Sequence, residues 1–352
     1  MCLLSPGYCG TPSLVSTIQV SKGLRDSIAL MVTTRLYCDG VLTTQDFPVA
    51  DISNHITEPD TSVWADFQSP TAQDLAAIEQ ELSLHPLAVE DAVNAHQRPK
   101  VDRYDTHLFV AVYAVRFDAK SSQLIKSEVR AFITPHALVT VHEPGFDMAA
   151  VTKRWDENQD LAKYGVAFLL WGLLDVIVDG QLDAVQQLDA AIDGLEDNLF
   201  EPSPHAEAVV RRSFELRKSL VELRRVVQPM REVLNVFMQR DSDNVAAEMR
   251  PYFQDLYDHA IRSAESADAL RDLVATILET NLSIQSNNMN LVMKKVTSWA
   301  AIIAVPTAIT GFFGQNLSFL GFGTTWGVWL SLGLIAGTSL TLYISFKKRD
   351  WL

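Results

Sequence analysis

Asn290, Thr307, Thr310, Gln315 and Asn316 bring neutral oxygen atoms to one long, mostly apolar stretch near the end of the chain. Carboxamide and hydroxyl oxygens can hydrogen-bond the water shell of a small divalent ion, which gives up its waters reluctantly. Without a carboxylate beside them, such oxygens permit passage rather than trap the ion. The segment 296–313, VTSWAAIIAVPTAITGFF, carries no charge, and neither does 326–346, WGVWLSLGLIAGTSLTLYISF. Two spanning helices alone cannot enclose a polar path, because their polar faces stay open to lipid. Several copies around an axis would turn each residue into a ring. On this reading Asn316 forms an outer ring of oxygens, with Thr310, Thr307 and Asn290 below it. Pro306 removes a backbone hydrogen bond, which either frees the Ile302 carbonyl as a further oxygen or simply kinks the helix. Gly333 and Gly337 form a GxxxG pair suited to close helix packing.

The elements that must position these residues follow from pattern. MVTTRLYC, VWADF (63–67), LFVAVYAVRF, SEVRAFIT and ALVTVHE are strand-like in β-branched content and alternation. Ser69 followed by Pro70 predicts a helix start. Residues 31–147 therefore form an α/β unit, with short helices around a sheet. The first 30 residues lack a basic segment ahead of their apolar ones and are expected to be a disordered lead, or an over-extended start with Met31 as the true first residue. From 148 to 247 helical spacing dominates, broken at EPSPHAE and again at QRDSDN, which predicts a helical hairpin. A stalk helix follows over 248–295. It runs without glycine or proline from Pro251 to Pro306 and enters the first span over 296–313. An uncharged loop (314–325), a second span (326–346) and a basic tail (347–352) complete the chain.

Charge is unevenly distributed. From Lys294 onward five basic residues stand against one acid, a balance of +4, so the total of -14 leaves about -18 on residues 1–293. An acidic body of this kind is unsuited to nucleic acid and compatible with attracting cations. Lys294 and Lys295 precede the first span and Lys347, Lys348 and Arg349 follow the second, which predicts both termini on the cytoplasmic side of the cell membrane. The three cysteines form no CxxC pair, and no nucleophile elbow, phosphate loop or zinc-protease helix is present, so the chain does not read as an enzyme. Asp189, Asp193, Glu196 and Asp197 share neighbouring helix faces. Asp255 and His259 lie four apart, a spacing that fits a metal pair but more often serves structure.

GQN after the first span, a short outer loop, a second span and a terminal KKRDWL resemble the CorA family of divalent-cation transporters, whose signature is Tyr-Gly-Met-Asn. HPLAVEDAVNAHQRPKVDRYDTHLFVAVY (85–113), LVELRRVVQPMREVL (220–234) and PYFQDLYDHA (251–260) resemble its cytoplasmic segments, in order, from about residue 60 to the end. The resemblance implies a homopentameric funnel in the lipid bilayer whose first spans line the pore. It implies Gly314, Gln315 and Asn316 as the selectivity segment, with Gly314 letting the backbone turn. Thr307 and Asn290 fall on the pore lining and Met293 at a hydrophobic constriction. It further implies regulatory Mg²⁺ between subunits at Asp91 and Asp255, no organic cofactor, and a cation-concentrating role for the acidic cluster at 189–197. Gln315 stands where the family signature has methionine, so Mg²⁺, Co²⁺ and Ni²⁺ all remain candidate ions. Two other readings stay open: a proton-coupled Zn²⁺ transporter like the ZntB group, and a membrane-anchored cation sensor that transports nothing.

Overall fold

A computed structural model describes residues 32–57, 60–94, 97–197, 206–238, 246–315 and 323–351. The lead expected over residues 1–30, Met31 and Asn316 lie outside them.

Seven strands make one mixed sheet: β1 (Val32–Cys38), β2 (Val41–Gln45), β3 (Thr61–Gln68), β4 (Lys100–Arg103), β5 (Leu108–Asp118), β6 (Gln123–Ile133) and β7 (Ala137–His142), in the order β2-β1-β3-β7-β6-β5-β4. Only β3 and β7 pair in parallel, at the centre. Their near-continuous apolar character follows from burial on both faces. One face packs on α1 (Ile52–His55), α2 (Ala72–Leu82) and α3 (Pro86–Val93), through Phe67, Ile78, Ala88 and Val139. The other packs on α4 (Met148–Glu157) and α5 (Val166–Asp197), where Trp64 and Trp155 meet edge to face at 4.8 Å. The long β5–β6 hairpin carries Val115, Phe117 and Leu124 beyond this core. There they join α5, α6 (Ala206–Met238) and α7 (Arg250–Phe313) in a second apolar cluster.

Two expectations need correction. The start of α2 is capped by Thr71 rather than Ser69. Thr71 and Asp74 form a reciprocal capping box, while Ser69 takes a left-handed backbone and donates its N–H to the His142 carbonyl. The region after 148 is not one helix leading into a hairpin. A short α4 and a 3-10 turn (Gln159–Tyr164) precede α5, and the break falls at Gly165, whose φ of +59° suits glycine.

Between the central strands, buried His142 and Asp66 form an ion pair at 3.0 Å. Thr140 bridges Trp64 to Asp66, accepting from the indole N–H and donating to the carboxylate, and the His142 Nδ1 faces the Glu143 carbonyl at 2.8 Å. Burial alone would lower the His142 pKa, but the Asp66 hydrogen bond and charge, aided by that carbonyl, outweigh it and raise the pKa above 6.5. Stabilisation from the imidazolium is therefore complete below pH 6.5 and lost as pH rises through the higher folded value. Thermal unfolding across this window should show the wild type losing stability on alkalinisation while His142→Gln follows a flatter course. Parallel curves for the two proteins would refute this assignment.

The element that reaches the membrane region is α7. Its 64 residues extend roughly 95 Å at 1.5 Å per residue, straight through the expected stalk–span junction. Phe253, Leu256, Ala260, Ala264, Ala267, Leu270, Val274 and Ile277 form a buried stripe at three- and four-residue spacing that ends at Asn281. From Leu282 to Thr297 every residue is exposed except half-buried Ile284. Then α8 (Thr325–Lys348) folds back against the end of α7. Both helices are long and apolar enough to cross a membrane.

Candidate functional site

Ser298 of α7 is fully buried, and Ala301, Ile302, Val305, Pro306, Ile309 and Phe313 are half-buried near it in helical projection, which marks the side that α8 covers. At about 100° per residue, the opposite side carries Met293, Thr297, Ala300, Ala304, Thr307, Gly311 and Gly314, all exposed, while exposed Asn290 lies about 80° from Ser298, at the edge of this side. This is a continuous stripe of small, neutral residues in which Met293 (59% exposed) is the bulkiest apolar side chain. Met293 and Thr307 share this face, whereas Asn290 lies about 100° from Thr307 and flanks it. Thr310 sits at its flank. Sequence reasoning missed Thr297, Ala300, Ala304 and Gly311, whose signal was their alternating three- and four-residue spacing. The Thr307 hydroxyl donates to the Ile303 carbonyl and the Thr310 hydroxyl to the Thr307 carbonyl. Each hydroxyl proton is spent on the backbone, so what remains is an oxygen acceptor, the polarity a cation's water shell requires. Pro306 is accommodated inside a continuous helix.

At the C-terminal end of α7, the chain leaves the helix in a turn at Gly314, whose φ of -85° is one that any residue adopts. What it supplies is close approach. A Cβ there would lie 3.1 Å from the Thr310 carbonyl, the acceptor of its own N–H at 2.8 Å. Gln315 follows, exposed, with its N–H directed to the Phe312 carbonyl at 3.3 Å. Asn316 is the one selectivity residue that falls outside the described residues. Gly333 and Gly337 meet nothing within 4 Å of a Cβ position, so the GxxxG face does not pack against the described residues of the chain. The basic tail does return to α7. Trp351 stacks on Phe346 at 5.7 Å and borders a groove shared with Asn287, Asn290, Met293, Lys294 and Thr297.

The two predicted regulatory carboxylates have different surroundings. Asp91 sits on α3, which starts with Pro86 at its first position and is capped by the His85 imidazole. Its Oδ2 is 2.7 Å from the Lys100 ammonium, and its Oδ1 accepts from the Gln97 side chain at 3.3 Å. Lys100 also contacts Asp102 at 2.6 Å. Burial works against its charge, but Asp102 and Asp91 outweigh that and raise its pKa. Beneath lies buried Arg130, which pairs with buried Glu128 and donates to the Ala92 carbonyl near the end of α3. Glu128 in turn accepts the Gln97 N–H, and the Gln97 carbonyl accepts from the Tyr113 hydroxyl at 2.6 Å. Burial, followed by the Glu128 charge, pushes the Tyr113 pKa up to about 12, so it remains a donor at neutral pH.

Asp255, on the N-terminal part of α7, is 68% exposed and 3.8 Å from His259. The same imidazole lies 3.7 Å from Asp179 of α5, and Asp179 shares Arg154 with buried Asp175. Burial pushes the Asp175 pKa to about 6 despite the Arg154 charge. His259 thus lies between α5 and α7, 3.7–3.8 Å from a carboxylate on each and beyond hydrogen-bond distance of both. Asp189, Asp193, Glu196 and Asp197 are all exposed on the last turns of α5. Among the described residues no group of three or more His, Cys, Asp or Glu could hold a metal ion. A cation at Asp91 or Asp255 therefore needs ligands from another chain or from water. A cavity of about 690 Å³, lined by Asp39, Thr61, His136 and Lys163 among others, includes none of the predicted site residues.

Comparison with known proteins gives a consistent result. Residues 59–348 match the profile of the family described as CorA-like Mg²⁺ transporter protein. The cobalt/magnesium transport protein CorA of Thermotoga maritima is 30% identical over 314 residues, covering 88% of this chain and 89% of that protein. The solved structure of the CorA magnesium transporter from Methanocaldococcus jannaschii superposes with a TM-score of 0.73 at 19% identity, over 93% of this chain and all of that one. A zinc transport protein, ZntB of Yersinia pseudotuberculosis, is more distant, at 24% identity over 78% of this chain and 83% of its own.

Proposed function

Because the chain belongs to the CorA-like Mg²⁺ transporter family, we propose that it takes up Mg²⁺ across the cytoplasmic membrane, with Co²⁺ and Ni²⁺ as companion ions. The observation that carries this reading is the uncharged stripe on α7 from Met293 to Gly314, on the side turned away from buried Ser298. A lone chain would expose these polar groups, together with Leu282, Met289, Val292 and Val296, along an unsupported helix. Five copies around an axis place the stripe inward, α8 outward against lipid, and Asn316 at the outer mouth. Both termini then face the cytoplasm. Hydrated ions pass rings of neutral oxygen at Asn316, Thr310, Thr307 and Asn290, and the Met293 ring narrows the path. The hydroxyl oxygens offer acceptors without fixed charge, so a divalent ion is stabilised but free to leave.

In this reading regulation resides in the cytoplasmic domains. Asp91 and Asp255 of adjacent subunits face one another, and a divalent ion between them offsets their repulsion and favours the closed assembly. When cytoplasmic Mg²⁺ falls, the boundary loosens and the pore opens. The donor set fits a hard cation, because both groups are partly exposed carboxylates that water can reach. The acidic end of α5 concentrates cations nearby.

Reconstituted vesicles with separately imposed voltage and pH gradients test the coupling. Mg²⁺ entry should follow voltage and be indifferent to a proton gradient. Zn²⁺ accumulation driven by the pH gradient would favour the proton-coupled reading, and a complete lack of flux would leave a cation sensor.

A further inference from the structure

We propose that Lys100 is a resident counter-cation on Asp91, which an incoming divalent ion must displace, and that this competition sets the cytoplasmic cation concentration at which subunits tighten together. The inference rests on the reading of Asp91 as a regulatory carboxylate.

Both oxygens of Asp91 are engaged within its own chain, Oδ2 by the Lys100 ammonium at 2.7 Å and Oδ1 by the Gln97 amide at 3.3 Å. Lys100 is the first residue of β4 and is held in register opposite Ala111 of β5. Its ammonium lies 2.6 Å from Asp102 and 5.6 Å from the centre of the buried Phe109 ring. Two carboxylates and an aromatic face thus fix the positive charge where it meets Asp91. The carboxylate is fixed from its own side, since Arg130 holds the adjacent Ala92 carbonyl. Asp102 remains a partner for the ammonium when it leaves Asp91.

The pair is not sealed. The Lys100 and Asp91 side chains are 29% and 30% exposed, so a hydrated ion can approach. A divalent ion carries twice the charge of the ammonium and can replace it, but binding is weakened by the interaction it breaks. The lysine thereby raises the midpoint of the cation response without being a ligand. An ordinary staple between α3 and β4 would act in the opposite direction, since its loss would disorder Asp91 and weaken cation binding.

Limited proteolysis of the purified full-length chain during Mg²⁺ titration separates these cases. In Lys100→Met the Mg²⁺ midpoint for protection should fall about three- to fivefold, the size expected for a partly exposed ion pair. Lys100→Arg, which keeps the charge, should stay near the wild-type midpoint. Lys120→Met, in the exposed β5–β6 turn, should not shift it, so a matching shift there would reduce the effect to net charge and overturn the proposal. In an Asp91→Ala background, Lys100→Met should have no further effect. An unchanged or raised midpoint for Lys100→Met, with Asp91→Ala still altering the response, would overturn the proposal alone. An Asp91→Ala protein with the wild-type response would overturn the regulatory reading as well.

Discussion

Asn316→Ala should reduce Mg²⁺ uptake by at least about tenfold while leaving the assembled protein in the membrane. Each carboxamide lost removes a hydrogen bond to the ion's water shell, on the order of 1 kcal/mol, and symmetry removes one from every subunit at once. A second variant guards against a purely structural explanation. Asn316→Asp keeps the shape and nearly the size, but it converts a neutral ring into a charged one. Such a ring should bind divalent ions more tightly and release them more slowly, so uptake falls while block of the pathway by Co²⁺ or Ni²⁺ strengthens. Loss of uptake in both variants with no change in block would point to a damaged loop. Unaltered uptake in Asn316→Ala would remove the asparagine from the pathway. Gln315 is a useful contrast, because it stands exposed at the end of α7 and replaces the apolar residue of the family signature. Gln315→Met should alter preference among divalent ions more than total flux.

Arg130→Met should destabilise the N-terminal α/β domain by about 3–5 kcal/mol, the usual cost of removing one partner from a buried ion pair. Arg130 and Glu128 are each 5% exposed, and the guanidinium addresses the carboxylate through Nε and Nη2 while Nη1 reaches the Ala92 carbonyl. In the variant the Glu128 charge remains in the interior without its guanidinium. Glu128→Gln combined with Arg130→Met leaves no charge behind and keeps an acceptor for the Gln97 N–H, so it should recover much of the loss. The consequence extends to function, because this network anchors both ends of the connection between α3 and β4, which carries Asp91 at one end and Lys100 at the other. The thermal transition should fall by roughly 10 °C, and Mg²⁺-dependent protection should weaken with it. A single variant as stable as the wild type would show that the pair does not support this corner of the domain.

What could be read in advance was set by periodicity and burial. β3, β5 and β7 were legible because they are buried, rich in branched residues and bounded by turns. The edge strands β2 and β4 were not. VLTTQ is largely exposed and KVDR is mostly charged, so neither shows alternation. The first part of β6, from Gln123 to Lys126, was missed for the same reason, since its pairing with β5 lies beyond the sheet's core. Gly165 gave no warning of a break, because a single glycine in an otherwise helical pattern is often tolerated. The long α7 was apparent from its lack of breakers as far as Pro306, and only the structure shows the helix continuing through that proline.

The candidate site divides in the same way. Asn290 and Thr307 were named for their neutral oxygens and Met293 through the family resemblance, and helical spacing sets Met293 about 40° from Thr307 but Asn290 about 100° from it. Contacts made through tertiary structure could not be anticipated: Lys100 on Asp91, Arg154 between Asp175 and Asp179, and Trp351 beside Asn290. Gly314 shows the limit of residue-type arguments. Its φ is one that any residue adopts, and what distinguishes the position is the tight 3.1 Å approach a Cβ would make to the Thr310 carbonyl.

The central claim is that this chain conducts Mg²⁺ under control from the cytoplasmic side. It is tested most directly by Mg²⁺ entry into vesicles carrying the purified full-length protein with its cytoplasmic domains inside, at fixed voltage and with the internal Mg²⁺ varied. Entry should be well above that of protein-free vesicles at low internal Mg²⁺, and it should fall steeply as internal Mg²⁺ rises, more steeply than the shrinking gradient requires. Entry no faster than in protein-free vesicles would contradict conduction, and a rate that merely tracks the gradient would contradict the control.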